Sequence, residues 1–154
     1  MITIEEFKKK QSEKCRLIGL DLGLKRIGVS ICDEKQLIAT PYKTIRKSKN
    51  NELIKELKNI IQENDIKAII IGYPLNMDGS LGSAAQSVND VSKNIDNEID
   101  VDVCLWDERL STVGAFNLSS QLDVNVSKRE KNIDQNAAAF ILQGAIDLSL
   151  IHIS

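Results

Sequence analysis

The feature that most restricts the fold is a change of rhythm near residue 50. Before it, three short apolar runs follow one another with minimal links: RLIGLDL over about 16–22, IGVSICD over 27–33 and LIATPYKTI over 37–45. Three such runs predict an antiparallel meander. Gly23, in the first link, is expected to supply unusual backbone angles. Pro41 inside the third run suits an edge strand or a bulge. After residue 50, helical and strand patterns alternate. NNELIKELKNIIQEND places Leu53, Ile54, Leu57, Ile60 and Ile61 on one helical stripe. A buried strand follows over about 67–72, then a polar loop, NMDGSLGS, and a helix near 83–97. VDVCLWD, 101–107, is the last strand. A helix through AFNLSSQL, a basic loop VNVSKREKN, and a final helix from DQNAAAFILQ complete the chain. The body of that final helix, Ala137 to Ala145, is almost wholly apolar and is expected to be buried. The order β-β-β-α-β-α-β-α-α predicts an α/β fold. It is a mixed five-stranded sheet, with an antiparallel front meander and a parallel second half, flanked by helices.

Composition then removes several classes of function. The 154 residues fit one domain, expected over 15–154, with 1–14 as a polar extension. No apolar stretch approaches the ~18 residues of a membrane span, so no membrane partner is expected. The beginning, MITIEEFKKKQSEK, has no apolar core of a secretory signal, which makes the cytoplasm the default location. The three cysteines, Cys15, Cys32 and Cys104, form no CxxC pair. Cys32 and Cys104 read as small buried hydrophobes. His152 is the only histidine, which argues against Ser-His and Cys-His chemistry. The net charge of −2 does not announce a polyanion binder, so any such surface must be local. Three clusters are candidates: Lys25 with Arg26; Lys43, Arg46, Lys47 and Lys49; and Lys128, Arg129 and Lys131. Each also reads as ordinary solvated surface.

Three carboxylates stand at the ends of elements. Asp21 ends the first strand, Glu108 follows the last, and Asp134 opens the final helix. If the first and last strands run the same way, Asp21 and Glu108 emerge at one edge of the sheet, where α/β folds gather functional groups. A helix across that face would bring Asp134 beside them. Acids so placed repel unless cations lie between them, and hard oxygen donors select Mg²⁺ or Mn²⁺. Two such ions can activate water against a phosphodiester without histidine or cysteine. Plainer roles stay open: Asp21 as a turn former, Glu108 in an ion pair with Arg109, Asp134 at a helix dipole. Asp33, Asp78 and Asp107 compete for the same roles.

The motifs GLDLGLKRIGVS (19–30), IIIGYPLNMDGS (69–80), DERLST (107–112) and DQNAAAFILQ (134–143) together resemble the YqgF, or RuvX-like, family of RNase H-fold nucleases. The resemblance runs from about residue 16 to 148. It implies an RNase H-like fold, and Asp21, Glu108 and Asp134 as catalytic, metal-binding acids. It implies a nuclease acting on structured nucleic acid, in 5′-end processing of pre-16S rRNA or, in some relatives, on Holliday junctions. The partners would be pre-rRNA or structured DNA, and ribosomal particles; the protein would be a monomer or, for a junction, a homodimer. Leu81 stands where the family often carries an acid, and Gly114 where many members have glutamate. Around the acids, Lys25, Arg26, Asn76, Arg109, Lys128 and Arg129 are candidate phosphate contacts, with Lys131 and the amide of Gly79. Aromatic residues make up only 4%, so backbone and shape are expected to dominate recognition; Tyr73 and Trp106 are the possible stacking exceptions, with Trp106 reading more readily as core. The rivals are an actin-like or sugar-kinase-like ATPase, which needs a second domain, and a binding module without catalysis.

Overall fold

A computed structural model describes residues 1–3, 6, 15–23, 25–46, 50–74, 78–108 and 137–147. Its elements are β1 (Arg16–Leu22), β2 (Arg26–Cys32), β3 (Ala39–Arg46), α1 (Asn50–Asn64), β4 (Ile66–Tyr73), α2 (Ser83–Glu98) and β5 (Asp102–Asp107), then α3 over 137–147. The strands form one sheet in the order β3-β2-β1-β4-β5. β1 pairs antiparallel with β2, and β2 with β3, while β1–β4 and β4–β5 are parallel. This is the mixed sheet that the change of rhythm predicts. The expected helix over AFNLSSQL and the basic loop after it lie outside the described residues.

Both faces of the sheet are covered, which is why β1 and β4 read as near-continuous apolar runs. On one face, Ile18, Leu20, Ile69, Ile71 and Val103 pack with Leu57 of α1 and Ile95 of α2. On the other, Leu17, Ile70, Cys104 and Trp106 pack with Ile141, Leu142 and Ile146 of α3. The expectation that α3 is buried throughout needs correction. Ala137, Ala138, Ile141, Leu142, Ala145 and Ile146 are buried, but Phe140 is 37% exposed. The buried positions fall at four-residue spacing, so only one stripe meets the sheet.

The sheet is shaped to receive that stripe. A β-carbon built on Gly19 would stand 2.7 Å from Leu142 Cβ and 2.8 Å from the Ala138 carbonyl oxygen. Beside it, the buried Ser30 hydroxyl donates to the same carbonyl at 2.8 Å. Gln143 ties the helix to the start of β3: its Oε1 accepts from the Ala39 amide at 2.8 Å and its Nε2 donates to the Leu37 carbonyl at 3.1 Å.

Pro41 sits on an edge strand, and the β2–β3 register shifts beside it, between Val29 and Ser30. Both features leave the proline without a required amide bond. Gly23 behaves otherwise than expected, since its φ is not positive. Glycine is needed there for close approach: an added β-carbon would lie 2.6 Å from the Arg26 carbonyl oxygen. At the outer edge of β5, Ile2 forms a parallel bridge with Cys104 and its amide donates to Val103 at 2.9 Å. No helix among the described residues is long and apolar enough to cross a membrane.

Candidate active site

Strand alternation decides which side chains meet. On β1, Leu17, Gly19 and Asp21 point to the α3 face, since Leu17 belongs to that core cluster and Gly19 touches α3. On β4 the same face carries Ala68, Ile70 and Gly72, and on β5 Cys104 and Trp106, with Glu108 next in phase. The parallel registers Leu20↔Ile71 and Tyr73↔Asp107 bring the carboxyl ends of β1, β4 and β5 to one edge. Asp21 therefore sits on one side of Gly72 and Glu108 on the other. Gly72, on the middle strand, has no side chain to hold them apart.

The electrostatics agree with that placement. Glu108 is half-buried, and its carboxyl is pushed up from 4.5 to about 7. Burial is the main cause, followed by the negative charges of Asp21 and Asp107. A β-carbon on Gly72 would stand 2.7 Å from Glu108 Oε1. The pair is thus held where removal from water and mutual repulsion both oppose a second negative charge. A cation on these hard oxygen donors would relieve that opposition. Among the described residues no group of three or more histidines, cysteines or acids is placed to hold a metal ion.

The sequence-predicted residues divide clearly. Lys25 is exposed in the link after Asp21, and Arg26 is half-buried at the start of β2, so both stand at the acid-bearing edge. Asp134, Asn76, Arg109, Lys128, Arg129 and Lys131 lie outside the described residues. The second basic cluster is split. Lys43 pairs with Glu56 of α1 at 2.9 Å, on the face opposite the acids. Lys47 and Lys49 are outside the described residues.

The competing acids have other duties. Asp33 accepts from the amides of Leu37 and Ile38 at 2.8 and 2.9 Å, and the Ile38 bond leads in holding its carboxyl below the usual range. Asp78 accepts from the amide and hydroxyl of Ser80 around Gly79, whose φ is 86°. Asp107 points away from the acid face and acts on Glu108 through its charge.

Trp106 takes the core position expected of it, and Tyr73 faces away from the acids. Trp106 is 1% exposed within the core. Tyr73 packs with the α1–α2 cluster, on the far side of the sheet from Asp21. A groove of about 540 Å³ between β3 and α1, lined by Ile45, Arg46, Glu52, Leu53, Lys55 and Glu56 among others, contains neither acid. Gly72 is the functional position that residue-type reasoning overlooked. Its signal was present: a glycine inside an otherwise apolar strand marks close approach of another group.

Comparisons with known proteins converge. A family model described as RuvX: Holliday junction resolvase matches residues 15–148. A Pelagibacter ubique protein named "Putative pre-16S rRNA nuclease" is 74% identical over 147 residues, spanning 96% of this chain and 97% of that one. A Rhizobium meliloti protein of the same name is 41% identical over 147 residues, 96% of this chain and 89% of its own. Among solved structures, Thermus thermophilus RuvC in complex with a Holliday junction substrate superposes with a TM-score of 0.56 at 13% identity, covering 88% of this chain and 96% of RuvC. A second T. thermophilus RuvC structure gives 0.53 at 10% identity, with the same coverage. The fold is therefore RNase H-like, of the RuvC kind.

Proposed function

The chain belongs to the family described as RuvX: Holliday junction resolvase, and from that premise we propose that it is a divalent-metal-dependent nuclease that matures the 5′ end of pre-16S rRNA. The convergence of Asp21 and Glu108 over Gly72 carries this reading. The rRNA substrate follows the name that the Pelagibacter ubique and Rhizobium meliloti relatives share.

Asp21 and Glu108 would hold the metal, with Asp134 as a third oxygen donor; it lies three residues ahead of Ala137, the first described residue of α3. The donor set fits Mg²⁺ or Mn²⁺, because every group in it is a carboxylate. When bound, such ions supply charge for activating water and stabilising the leaving oxygen of a phosphodiester. The chain's own groups do the rest. Asp21 and Glu108 must both be ionised, so Glu108 gives up its proton before the site is competent. Lys25, Arg26 and Arg109 orient phosphate oxygens, with Asn76, Lys128 and Arg129 in further contacts. Water adds to phosphorus, the P–O3′ bond breaks, and a 3′-hydroxyl and a 5′-phosphate result. Such a substrate implies a cytoplasmic protein that meets ribosomal particles.

Junction cleavage is the second reading, favoured by the family's own description. It requires two symmetric cuts and hence a homodimer.

The test incubates the purified protein with a pre-16S 5′ fragment and, separately, a four-way DNA junction, in Mg²⁺ and in EDTA, and maps the new ends. Metal-dependent cleavage of the precursor, lost in Asp21→Asn, is expected. Cleavage of neither substrate, or cleavage that survives in EDTA, would sink the proposal.

A further inference from the structure

Trp106 carries a donor that its surroundings leave unsatisfied. The residue is 1% exposed, and its Nε1 has no hydrogen-bond partner among the described residues. A buried indole N–H ordinarily finds an acceptor, because an unpaired one forfeits the bond it makes with water. The core cannot supply one: the other buried members of the cluster around Trp106 are aliphatic side chains and cysteines, none a strong acceptor. The β4–β5 register points to a different partner. Gly72 and Trp106 are direct neighbours across the two strands, about 4.8 Å apart. Glu108, two residues after Trp106, emerges on the same face and reaches back over Gly72, where a β-carbon would stand 2.7 Å from its Oε1. The indole and the carboxylate therefore flank one glycine, and Ile141 of α3 closes the space above it.

We propose, resting on the metal-nuclease reading of Asp21 and Glu108, that Trp106 is a positioning residue: its indole N–H donates to the Glu108 carboxylate in the metal-loaded site and holds that side chain on the cation. Trp106 touches neither metal nor substrate and acts only through Glu108. An ionised carboxylate offers several acceptor sites, so it can hold a cation and accept from the indole together. Hydrogen bonds that orient a metal ligand from behind are worth roughly 10–100-fold in metal affinity. The missing side chain of Gly72 is what lets the two groups meet, since any β-carbon there would stand against the carboxylate.

The experiment needs no nucleic acid. Trp106 is the only tryptophan, so nitrogen-labelled protein gives a single indole N–H resonance by NMR, and Mg²⁺ alone is the titrant. The indole proton should move downfield as Mg²⁺ saturates the parent and stay in place in Asp21→Asn. Melting temperature against Mg²⁺ concentration gives the metal dissociation constant. Trp106→Phe, which keeps a ring and deletes the donor, should weaken that constant roughly 10–100-fold. Cys104→Ala trims the same apolar cluster and should lower the melting temperature in EDTA with the constant unchanged. An indole signal that stays fixed while Mg²⁺ raises the parent's melting temperature overturns the role of Trp106 and leaves the metal site standing. So does a constant that Trp106→Phe changes no more than Cys104→Ala does. If Mg²⁺ moves neither the signal nor the melting temperature of the parent, the metal site itself falls, and the role of Trp106 with it.

Discussion

The Glu108 carboxylate lies directly over the α-carbon of Gly72, so closely that a β-carbon there would stand 2.7 Å from Glu108 Oε1. The same β-carbon would collide with Ile141 Cδ1 of α3 and lie 3.1 Å from its Cγ1. One missing side chain therefore serves two purposes: it seats a helix and it lets an acid from β5 approach an acid on β1.

Gly72→Ala should cost about 1–3 kcal/mol in denaturant unfolding, as overpacking usually does. Ile141→Val removes the colliding Cδ1 and should restore part of that stability in the double variant. It should not restore cleavage at saturating Mg²⁺, because the alanine still displaces Glu108. Full recovery of both would mean that Gly72 matters only for packing.

Gly19→Ala should be more damaging. Its β-carbon would meet Ser30 Oγ at 2.5 Å, Leu142 Cβ at 2.7 Å and the Ala138 carbonyl at 2.8 Å. Two of these belong to the backbone of α3 or adjoin it, so the helix must move as a body. A loss of about 3 kcal/mol or more is expected, against about 1 kcal/mol for Ser30→Ala, which removes one buried hydrogen bond. Urea unfolding of the two variants gives the comparison.

The mixed sheet was legible because the period of the apolar residues changes once, near residue 50, and strand pairing follows from link length. Asp21 was legible because a carboxylate in an apolar strand demands a partner. What escaped depends on register. Tyr73 and Glu108 are close in space yet serve opposite faces, and only the β4–β5 pairing reveals it. Gly72 escaped for the same reason, since its value lies in what crosses over it. Asp33 and Asp78 were separable in principle, because a short acid followed by turn residues tends to bind its own backbone.

Glu108 gives the metal-free protein a defined pH response. Its folded value, about 7, exceeds its ordinary 4.5, so the folded state binds more protons between these limits. The contribution of this one group to stability is therefore fully present below about 4.5 and is lost as pH rises through about 7. The cost when Glu108 is fully ionised is on the order of 2 kcal/mol, allowing for its partial exposure. Glu108→Gln should thus raise the melting temperature in EDTA at pH 8 by about 5 °C and have little effect at pH 4.5. A variant less stable than the parent at pH 8 would contradict the burial and repulsion assigned here.

Asp21→Asn separates a metal ligand from a turn former. The substitution removes a negative charge facing Glu108 but leaves Glu108 buried, so in EDTA at pH 8 the variant should melt higher than the parent, by less than Glu108→Gln does. In Mg²⁺ the order should reverse. A cation held by the folded state alone adds about 2.7 kcal/mol at a hundredfold excess over its dissociation constant, and the parent gains this while the variant does not. The two melting curves should therefore cross between the metal-free and metal-bound conditions. If Asp21 instead stabilises the β1–β2 link, where the Gly23 amide donates to its carbonyl at 3.2 Å, the backbone bond persists in asparagine. The variant would then melt at or below the parent in both buffers, with an equal response to Mg²⁺. Crossing curves support the metal site without recourse to activity, and parallel curves exclude it.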